Sequence, residues 1–408
     1  MDIRPILSTL RRHKTAAALI VLEIALACAI VCNALFLIDN RIETLHRPSG
    51  IAESELVTVS LGGIGQQVNA AARTREDLAA LRALPGVRNA TVLNQMPFVR
   101  YSWNTSLGLT PNQERPTLNA AQYMADEGTL KTLGLRLVAG RDFTPDEYID
   151  LQDAQTSHSV REKGTAIILN RATAEKMFPG QNALGKNVYT GSVAARVVGI
   201  VEPLARPNAN GNLGEIDYAM LLPLRMTYAD GLYVLRVTDP ARRQEVLNAA
   251  AAALMKVDSS RLVLKQETYE EIRGNYFQGD RAMVWLLGAV CIALLVVTAL
   301  GIVGLASFWV QQRTKQIGIR RALGATRGQI LRYFQTENFL LASTGIVLGM
   351  LLAYAINQWL MGKYELPRLP VSYLPIGAVT LWLLGQIAVL APARRAAAVP
   401  PAVATRST

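Results

Sequence analysis

The sequence predicts an α-helical membrane protein with four transmembrane helices and one large α/β (α+β) domain outside the membrane. Three observations lead to this prediction. Four apolar stretches reach the length of about 20 residues that a helix needs to cross a bilayer. The 408-residue chain is 50% hydrophobic and only 18% charged, yet its net charge is +11. A long region of mixed strand and helix patterns separates the first apolar stretch from the other three.

The composition and the position of the charges exclude several classes of protein. The hydrophobic content excludes a disordered chain, and three cysteines are too few for a disulfide framework. Residues 1–15, 311–337 and 392–408 together hold thirteen basic residues and, apart from Glu337, one acidic residue. Because basic residues accumulate on the cytoplasmic side of a membrane, these segments and both termini are predicted to be cytoplasmic. The charge therefore does not indicate nucleic-acid binding.

The predicted elements follow in chain order from this topology. Residues 1–15 separate apolar from basic side chains, which predicts a cytoplasmic interfacial helix. The first apolar stretch is too long for a signal peptide and is predicted to be retained. The second exceeds what a bilayer requires, so its helix should tilt or project. The other segments are transmembrane helix 1 (16–38), the outer domain (39–281), transmembrane helix 2 (282–310), a cytoplasmic loop (311–337), transmembrane helix 3 (338–361), a short outer loop (362–372), transmembrane helix 4 (373–391) and a cytoplasmic tail (392–408).

The outer domain shows strands and helices in alternation, which indicates an α/β or α+β fold with more than one layer. Runs rich in apolar and β-branched residues predict strands at 56–60, 87–93, 166–169, 195–201 and 232–237. Helical patterns occupy 73–84, 171–178 and 240–257, and polar loops are expected at 145–163 and 203–215.

No catalytic or metal site is predicted. The segment 180–187 is one residue short of a P-loop, but it follows a helical pattern and precedes an extended one, so we interpret it as a glycine turn leading into a strand. The three histidines, His13, His46 and His158, are far apart in sequence. Catalysis by this chain and a metal site are therefore not expected.

Two features within the membrane spans are candidates for structural or functional roles. Gly345, Gly349 and Ala353 form a small-residue face that allows close helix approach, either within the chain or between two copies. Glu23 is costly in hydrocarbon and needs a partner. Gln386 lies at a similar depth, so a hydrogen bond between these two is a hypothesis.

The segment 312–332 of the cytoplasmic loop combines cationic and apolar side chains. It should continue helix 2, turn at Gly324 and Ala325, and begin a new helix after Thr326 as the N-cap. Composition alone allows either a loop that rests on lipid headgroups or a docking element for a cytoplasmic partner.

The loop resembles the signature of a known family. Arg313-Thr314 followed by Ile-Gly-Ile-Arg-Arg-Ala-Leu-Gly-Ala at 317–325 resembles the FtsX/MacB-type (type VII, mechanotransmission) ABC transporter permeases. Gln316 departs from the glutamate of many members. The outer domain resembles the MacB-like periplasmic core, which has two lobes, in the segments 134–143, 166–170, 184–186 and 197–201.

This resemblance implies a bacterial inner-membrane permease subunit without an ATPase domain of its own. The loop would be a coupling helix on a separate cytoplasmic ABC ATPase dimer, which would bind the ATP and magnesium; no cofactor is expected in this chain. Helix 2 would carry the movement to the periplasmic domain, for MacB-like efflux of a drug, peptide or lipid-linked substrate. The residues implied to contact the ATPase are Ile317, Gly318, Arg320, Arg321, Leu323, Gly324 and Ala325.

The resemblance also implies further partners and leaves alternatives open. Relatives pair with a second permease, of the same or a paralogous chain, and often with a periplasmic adaptor and an outer-membrane channel. LolC/LolE-like lipoprotein extraction and FtsX-like activation of cell-wall hydrolases are alternatives within the family. A membrane sensor with a signal-binding outer domain and a membrane-anchored enzyme are alternatives from other classes.

Overall fold

The computed structural model describes residues 14–63, 69–156, 165–208, 217–364 and 368–398. The chain divides into a helical unit, formed by the segments up to His46 and from Gly279 onward, and an α/β unit, Arg47–Gln278. The predicted interfacial helix of residues 1–15 lies almost entirely outside the described residues, as does the tail beyond residue 398.

In the sequence, long helices precede and follow a region of short strands and helices. In chain order, the helices are α1 (Lys14–Leu45), α2 (Ala70–Arg82), α3 (Thr129–Leu133), α4 (Leu151–Thr156), α5 (Arg171–Met177), α6 (Arg243–Val257), α7 (Tyr269–Tyr276), α8 (Gln278–Gln312), α9 (Thr314–Ala322), α10 (Arg327–Tyr364) and α11 (Tyr373–Ala398). The strands are β1 (Leu56–Gly63), β2 (Val87–Leu93), β3 (Asn104–Leu107), β4 (Leu118–Met124), β5 (Leu137–Gly140), β6 (Ile149–Asp150), β7 (Thr165–Asn170), β8 (Asn187–Thr190), β9 (Val193–Val201), β10 (Ala219–Leu222), β11 (Leu224–Arg225), β12 (Leu232–Val237) and β13 (Arg261–Thr268).

Four helices of the described chain, α1, α8, α10 and α11, are long and apolar enough to cross a membrane. This confirms the predicted number of spanning helices. At about 1.5 Å per residue, α8 is about 50 Å long, whereas the hydrocarbon core of a bilayer is about 30 Å thick. The predicted excess length of the second spanning helix is therefore present.

The first lobe of the α/β unit is an antiparallel sheet in the order β13-β1-β12-β2. Helices α2 and α6 pack against it, and its core includes Val57, Leu81, Leu235 and Leu254. In the central strand β1, Val57, Val59 and Leu61 alternate with Thr58 and Ser60, and these three apolar side chains belong to the core of the lobe.

The second lobe is a mixed sheet in the order β3-β4-β10-β7-β9, in which β9 pairs with both β5 and β8. Gly108 and Tyr189 exchange backbone hydrogen bonds of 2.8 and 2.9 Å, which join the end of β3 to β8. The sheet thereby curls into a six-stranded barrel, with Leu107, Ile167 and Val197 in its core. Gly180 and Gly185 have φ angles of 66° and 78° in the turn before β8, which confirms a glycine turn there.

The two lobes are nested in the chain. All strands of the barrel lobe lie between β2 and β12, which are neighbours in the first sheet. The barrel lobe is therefore an insertion between two strands of the first sheet. The chain leaves the first sheet after β2 and returns to it at β12, and β1 pairs only with the last two strands of the unit, β12 and β13.

Candidate functional site

The loop between the second and third spanning helices is a short helix held between two breaks. Helix α8 ends at Gln312, and Arg313 separates it from α9. After α9 the chain turns at Gly324, whose φ of 96° suits glycine. The hydroxyl of Thr326 accepts a hydrogen bond from the backbone N–H of Gln329, and the Gln329 side chain accepts one from the N–H of Thr326. This reciprocal cap begins α10 at the predicted position.

One face of α9 is fixed against the spanning helices. Ile317 is only 5% exposed. It belongs to a small apolar cluster that also contains Ile330 and Phe334 of α10 and the alanines of α11. Gly318 is buried beside it, and Arg321 donates a hydrogen bond of 3.1 Å to the carbonyl of Ala397. Ile317 and Gly318 therefore form the buried base of α9 and are not exposed for the contact with an ATPase that the resemblance implies.

The opposite face, here called the loop face, consists of Ile319, Arg320, Leu323 and Gly324. Leu323 is 83% exposed and Ile319 is 48% exposed. The Arg320 guanidinium lies over the ring of Tyr333, 5.2 Å from its centroid, while the residue stays exposed. Two aliphatic side chains and one cation thus face solvent at the tip of the loop.

The loop face differs from the sequence prediction at two residues, Ile319 and Ala325. Ile319 is four positions before Leu323, so the two aliphatic side chains share a face of α9. This spacing was available in the sequence. Ala325 is half-buried against the cluster of Ile317 and contributes little outward surface.

A buried ion pair lies at the junction between α8 and α9. Arg313 Nη1 lies 3.0 and 2.9 Å from the two carboxylate oxygens of Glu337 in α10. The two side chains are 9% and 2% exposed. Glu337 is the last residue of the predicted cytoplasmic loop, and the sequence did not indicate its partner, because the two residues meet through the folding of the loop.

The intramembrane polar residues Glu23 and Gln386 are not brought together. Gln386 Nε2 donates to the carbonyl of Gln335 at 3.4 Å. The Glu23 carboxylate lies beside α8, where its oxygens would be 2.5 and 2.6 Å from a Cβ atom added to Gly301. Within the described part of the chain, Glu23 forms no hydrogen bond or ion pair. The hypothesis of a Glu23–Gln386 hydrogen bond is therefore wrong.

The small-residue face of α10 packs against α1 within the chain. A Cβ atom on Gly345 would lie 2.9 Å from the carbonyl oxygen of Val21, and one on Gly349 would lie 2.7 Å from that of Ala25. Ala353 is fully buried, and its carbonyl accepts a hydrogen bond from Asn33. The close approach of the two helices depends on these small residues.

The α/β unit contains an open cleft of about 730 Å³ between α2 and the segments that connect the two lobes. Asp126 and Glu127 line it. Burial, followed by its contact with Glu127, raises the pKa of Asp126 to about 7. Burial opposes ionisation of Glu127 as well, but hydrogen bonds from Asp126 and Arg225 lower its pKa to about 2. The described residues of this cleft, like the rest of the described chain, contain no cluster of metal-binding side chains.

Comparisons with known proteins match nearly the whole chain. The family model described as an FtsX-like permease C-terminal domain matches residues 288–401. The model described as a MacB-like periplasmic core domain matches residues 17–253, which is more than half of the chain.

Curated relatives agree with these matches. The macrolide export ATP-binding/permease protein MacB of Acinetobacter baylyi is 26% identical over 69% of this chain and 43% of that protein. The uncharacterized ABC transporter permease YvrN of Bacillus subtilis is 24% identical over 90% of this chain and 86% of that protein. The chain thus spans less than half of the first relative. The periplasmic region of MacB from Actinobacillus actinomycetemcomitans covers 57% of this chain and 97% of its own at 15% identity, with a TM-score of 0.35.

Proposed function

Because this chain belongs to the family of ABC transporter permeases with an FtsX-like membrane unit and a MacB-like core domain, we propose that its loop face binds a cytoplasmic ABC ATPase. ATP hydrolysis by that separate subunit would be coupled to conformational change in the α/β unit. We propose that the transporter carries out MacB-like efflux and that a second permease chain completes the assembly.

The loop face is the observation that carries this proposal. Leu323 is the most exposed large apolar residue of the described chain, at 83%. An isolated exposed leucine needs no explanation. Here, however, Ile319 and Arg320 lie beside it on a helix whose other face is fixed by Ile317. Arginine is enriched among the residues that contribute most to protein interfaces, and here it lies beside exposed apolar surface on a rigid support.

The long second spanning helix supports a mechanical role. Helix α8 is continuous from Gln278 to Gln312, and only Arg313 separates its end from α9. A displacement of α9 would therefore act at the end of a single rigid helix that begins next to the α/β unit in the chain. We propose that α8 transmits the movement of the ATPase in this way.

The direct test is co-purification from native membranes. The tagged wild-type chain should retain an ABC ATPase, identified by mass spectrometry, and should raise its rate of ATP hydrolysis. Ile319→Asp combined with Leu323→Asp should reduce the bound ATPase at least tenfold, because two carboxylates would face a surface that accepts apolar side chains and a cation. The buried base of α9 is unchanged in this variant.

A matched control comes from the α/β unit. Leu264 is 67% exposed on β13, so Leu264→Asp makes the same chemical change outside the loop. It should leave ATPase binding at the wild-type level. Failure of the wild-type chain to retain any ABC ATPase, or equal retention by the loop variant, would contradict the proposal.

A further inference from the structure

The ion pair between Arg313 and Glu337 has a structural setting that loop-face binding does not explain. In the described helical unit, the other ion pair, Arg41–Asp280, is partly exposed, with side-chain exposures of 30% and 20%. Arg313 and Glu337 are both more than nine-tenths buried. The Arg313 guanidinium also lies over the ring of Trp309, 5.6 Å from its centroid.

Stability alone is a poor reason for such a pair. Two charges lose their hydration on burial, and their mutual attraction often does no more than offset that loss. Apolar residues of similar volume commonly give an equally stable or more stable fold. The pair instead fixes the orientation of the Arg313 side chain, because the guanidinium contacts two carboxylate oxygens and an indole ring.

The ion pair lies where its geometry also affects the orientation of α9. Arg313 is the single residue between α8 and α9, so a fixed Arg313 also fixes the start of α9. Beside the pair is a cavity of about 20 Å³ to which all four spanning helices contribute. Its lining includes Ile20 of α1, Ile302 and Trp309 of α8, Glu337 and Asn338 of α10, and Val389 of α11.

We propose that Arg313 and Glu337 are positioning residues that hold α9 at a defined angle to α10, so that force applied to the loop face moves the spanning helices together. This inference rests on the proposed binding of an ATPase to the loop face. It adds that transmission of movement depends on a polar joint at the base of the loop and not on the loop face alone.

The decisive variant replaces the pair with apolar residues, Arg313→Met with Glu337→Leu. Because no buried charge is left without a partner, the protein should fold and unfold at the wild-type temperature or above. It should still bind the ATPase through the unchanged loop face. Its stimulation of ATP hydrolysis should fall at least tenfold, since the joint has lost its directional contact.

A distance measurement tests the joint without any ATPase. In a chain with Cys28, Cys32 and Cys291 replaced by alanine, spin labels are attached at Lys315 on α9 and at Gly328 on α10. A side chain at Gly328 would meet only Thr326 Oγ1, at 4.0 Å. The wild-type joint should give a narrow distance distribution, and the apolar pair should broaden it.

The matched control is Arg41→Met with Asp280→Leu, which removes the partly exposed ion pair of the same unit. It should keep both the narrow distribution and full ATPase stimulation. A narrow distribution and full stimulation in the Arg313–Glu337 double variant would overturn the inference. If the wild-type chain binds no ATPase, the proposed function fails, and the distance distributions still decide whether the pair positions α9.

Glu337→Gln, which keeps the shape of the side chain, serves as a second variant and should also broaden the distribution.

Discussion

At the scale of single residues, Asp77 and Arg261 illustrate how a buried charge is made tolerable. Both side chains are inaccessible to solvent within the first lobe. Arg261 Nη2 donates to Asp77 Oδ1 at 2.9 Å, Arg261 Nη1 and the hydroxyl of Tyr233 donate to Asp77 Oδ2, and the guanidinium lies over the ring of Tyr228. These residues belong to α2, β12 and β13 and to the turn before β12, all of them part of the first lobe.

Removing one partner of this pair should be far more costly than removing an exposed one. Arg261→Met leaves the Asp77 carboxylate buried without its cation, which should lower the free energy of unfolding by about 3–5 kcal/mol. Arg243→Met is the control, since the Arg243–Glu270 pair has exposures of 31% and 48%. Its cost should stay below about 1 kcal/mol.

Denaturant unfolding of the full-length protein in detergent measures both values. Adding Asp77→Leu to Arg261→Met should recover most of the loss, because the remaining charge is then absent. Equal stability of the Arg261 and Arg243 variants would show that the buried carboxylate is hydrated in a way that the contacts do not indicate.

At the scale of helices and strands, the approach of α10 to α1 depends on glycine. Gly349→Val places a branched side chain against the backbone of Ala25, where a Cβ atom alone would be 2.7 Å from the carbonyl oxygen. Overpacking of this kind costs about 1–3 kcal/mol. Gly304→Val in α8 is the control, because no atom lies within 4 Å of a Cβ atom there.

The measurement is the thermal midpoint of the detergent-solubilised protein, followed by size-exclusion chromatography. The midpoint should fall for Gly349→Val and stay unchanged for Gly304→Val. An unchanged midpoint for both variants would mean that α1 and α10 separate without loss of stability.

Elements with strong apolar patterns were predictable from the sequence, and polar edge elements were not. Strands β2 and β12 have the predicted bounds, and the glycine turn and the N-cap at Thr326 were also anticipated. Strand β3, Asn-Thr-Ser-Leu, carries no apolar alternation because it is mostly exposed. Strand β13 was missed because its middle is polar and exposed at a sheet edge.

The candidate site was predictable in position but not in orientation. The motif located α9 and predicted contacts for seven residues between 317 and 325, but not for Ile319. Which of them face outward depends on the cluster that Ile317 forms with α11, some 75 residues later in the chain. The Arg313–Glu337 pair has the same origin, since it forms only after the loop has turned at Gly324.

At the scale of the whole molecule, the crossings between the two lobes of the α/β unit are joined by polar side chains. Asn94, just after β2, accepts a hydrogen bond from the backbone of Met124. Glu127, just after β4, accepts one from Arg225 in β11 at 2.9 Å. Asp126 lies beside Glu127 and is almost fully buried.

Ionisation of Asp126 should therefore make the stability of the unit depend on pH. Its pKa is raised from an ordinary value of about 3.9 to about 7, so the folded unit favours the protonated carboxyl. The contribution is fully present below pH 4 and is lost as the pH rises through 7. Glu127 acts in the opposite direction, and its contribution is lost only as the pH falls from about 4 toward 2.

The pH dependence of thermal unfolding between pH 5 and pH 8 isolates Asp126, because Glu127 is ionised throughout that range. The wild-type midpoint should fall on going to pH 8. Asp126→Asn keeps an oxygen that accepts from the backbone N–H of Glu127 but does not ionise, so its midpoint should fall less. Parallel behaviour of the two proteins would assign the pH dependence to another group.

The nesting of the two lobes also sets an order of events during biosynthesis. The barrel strands all lie between β2 and β12 in the sequence, so that lobe can complete its sheet as soon as β10 has emerged. Strand β1 is made first, yet its partners are β12 and β13, the last strands of the unit. Strand β1 therefore has no sheet partner while the barrel is synthesised. Its apolar side chains are exposed during that interval, which favours aggregation. The delay ends when β13 has been made, with only α7 left to be synthesised before α8 begins.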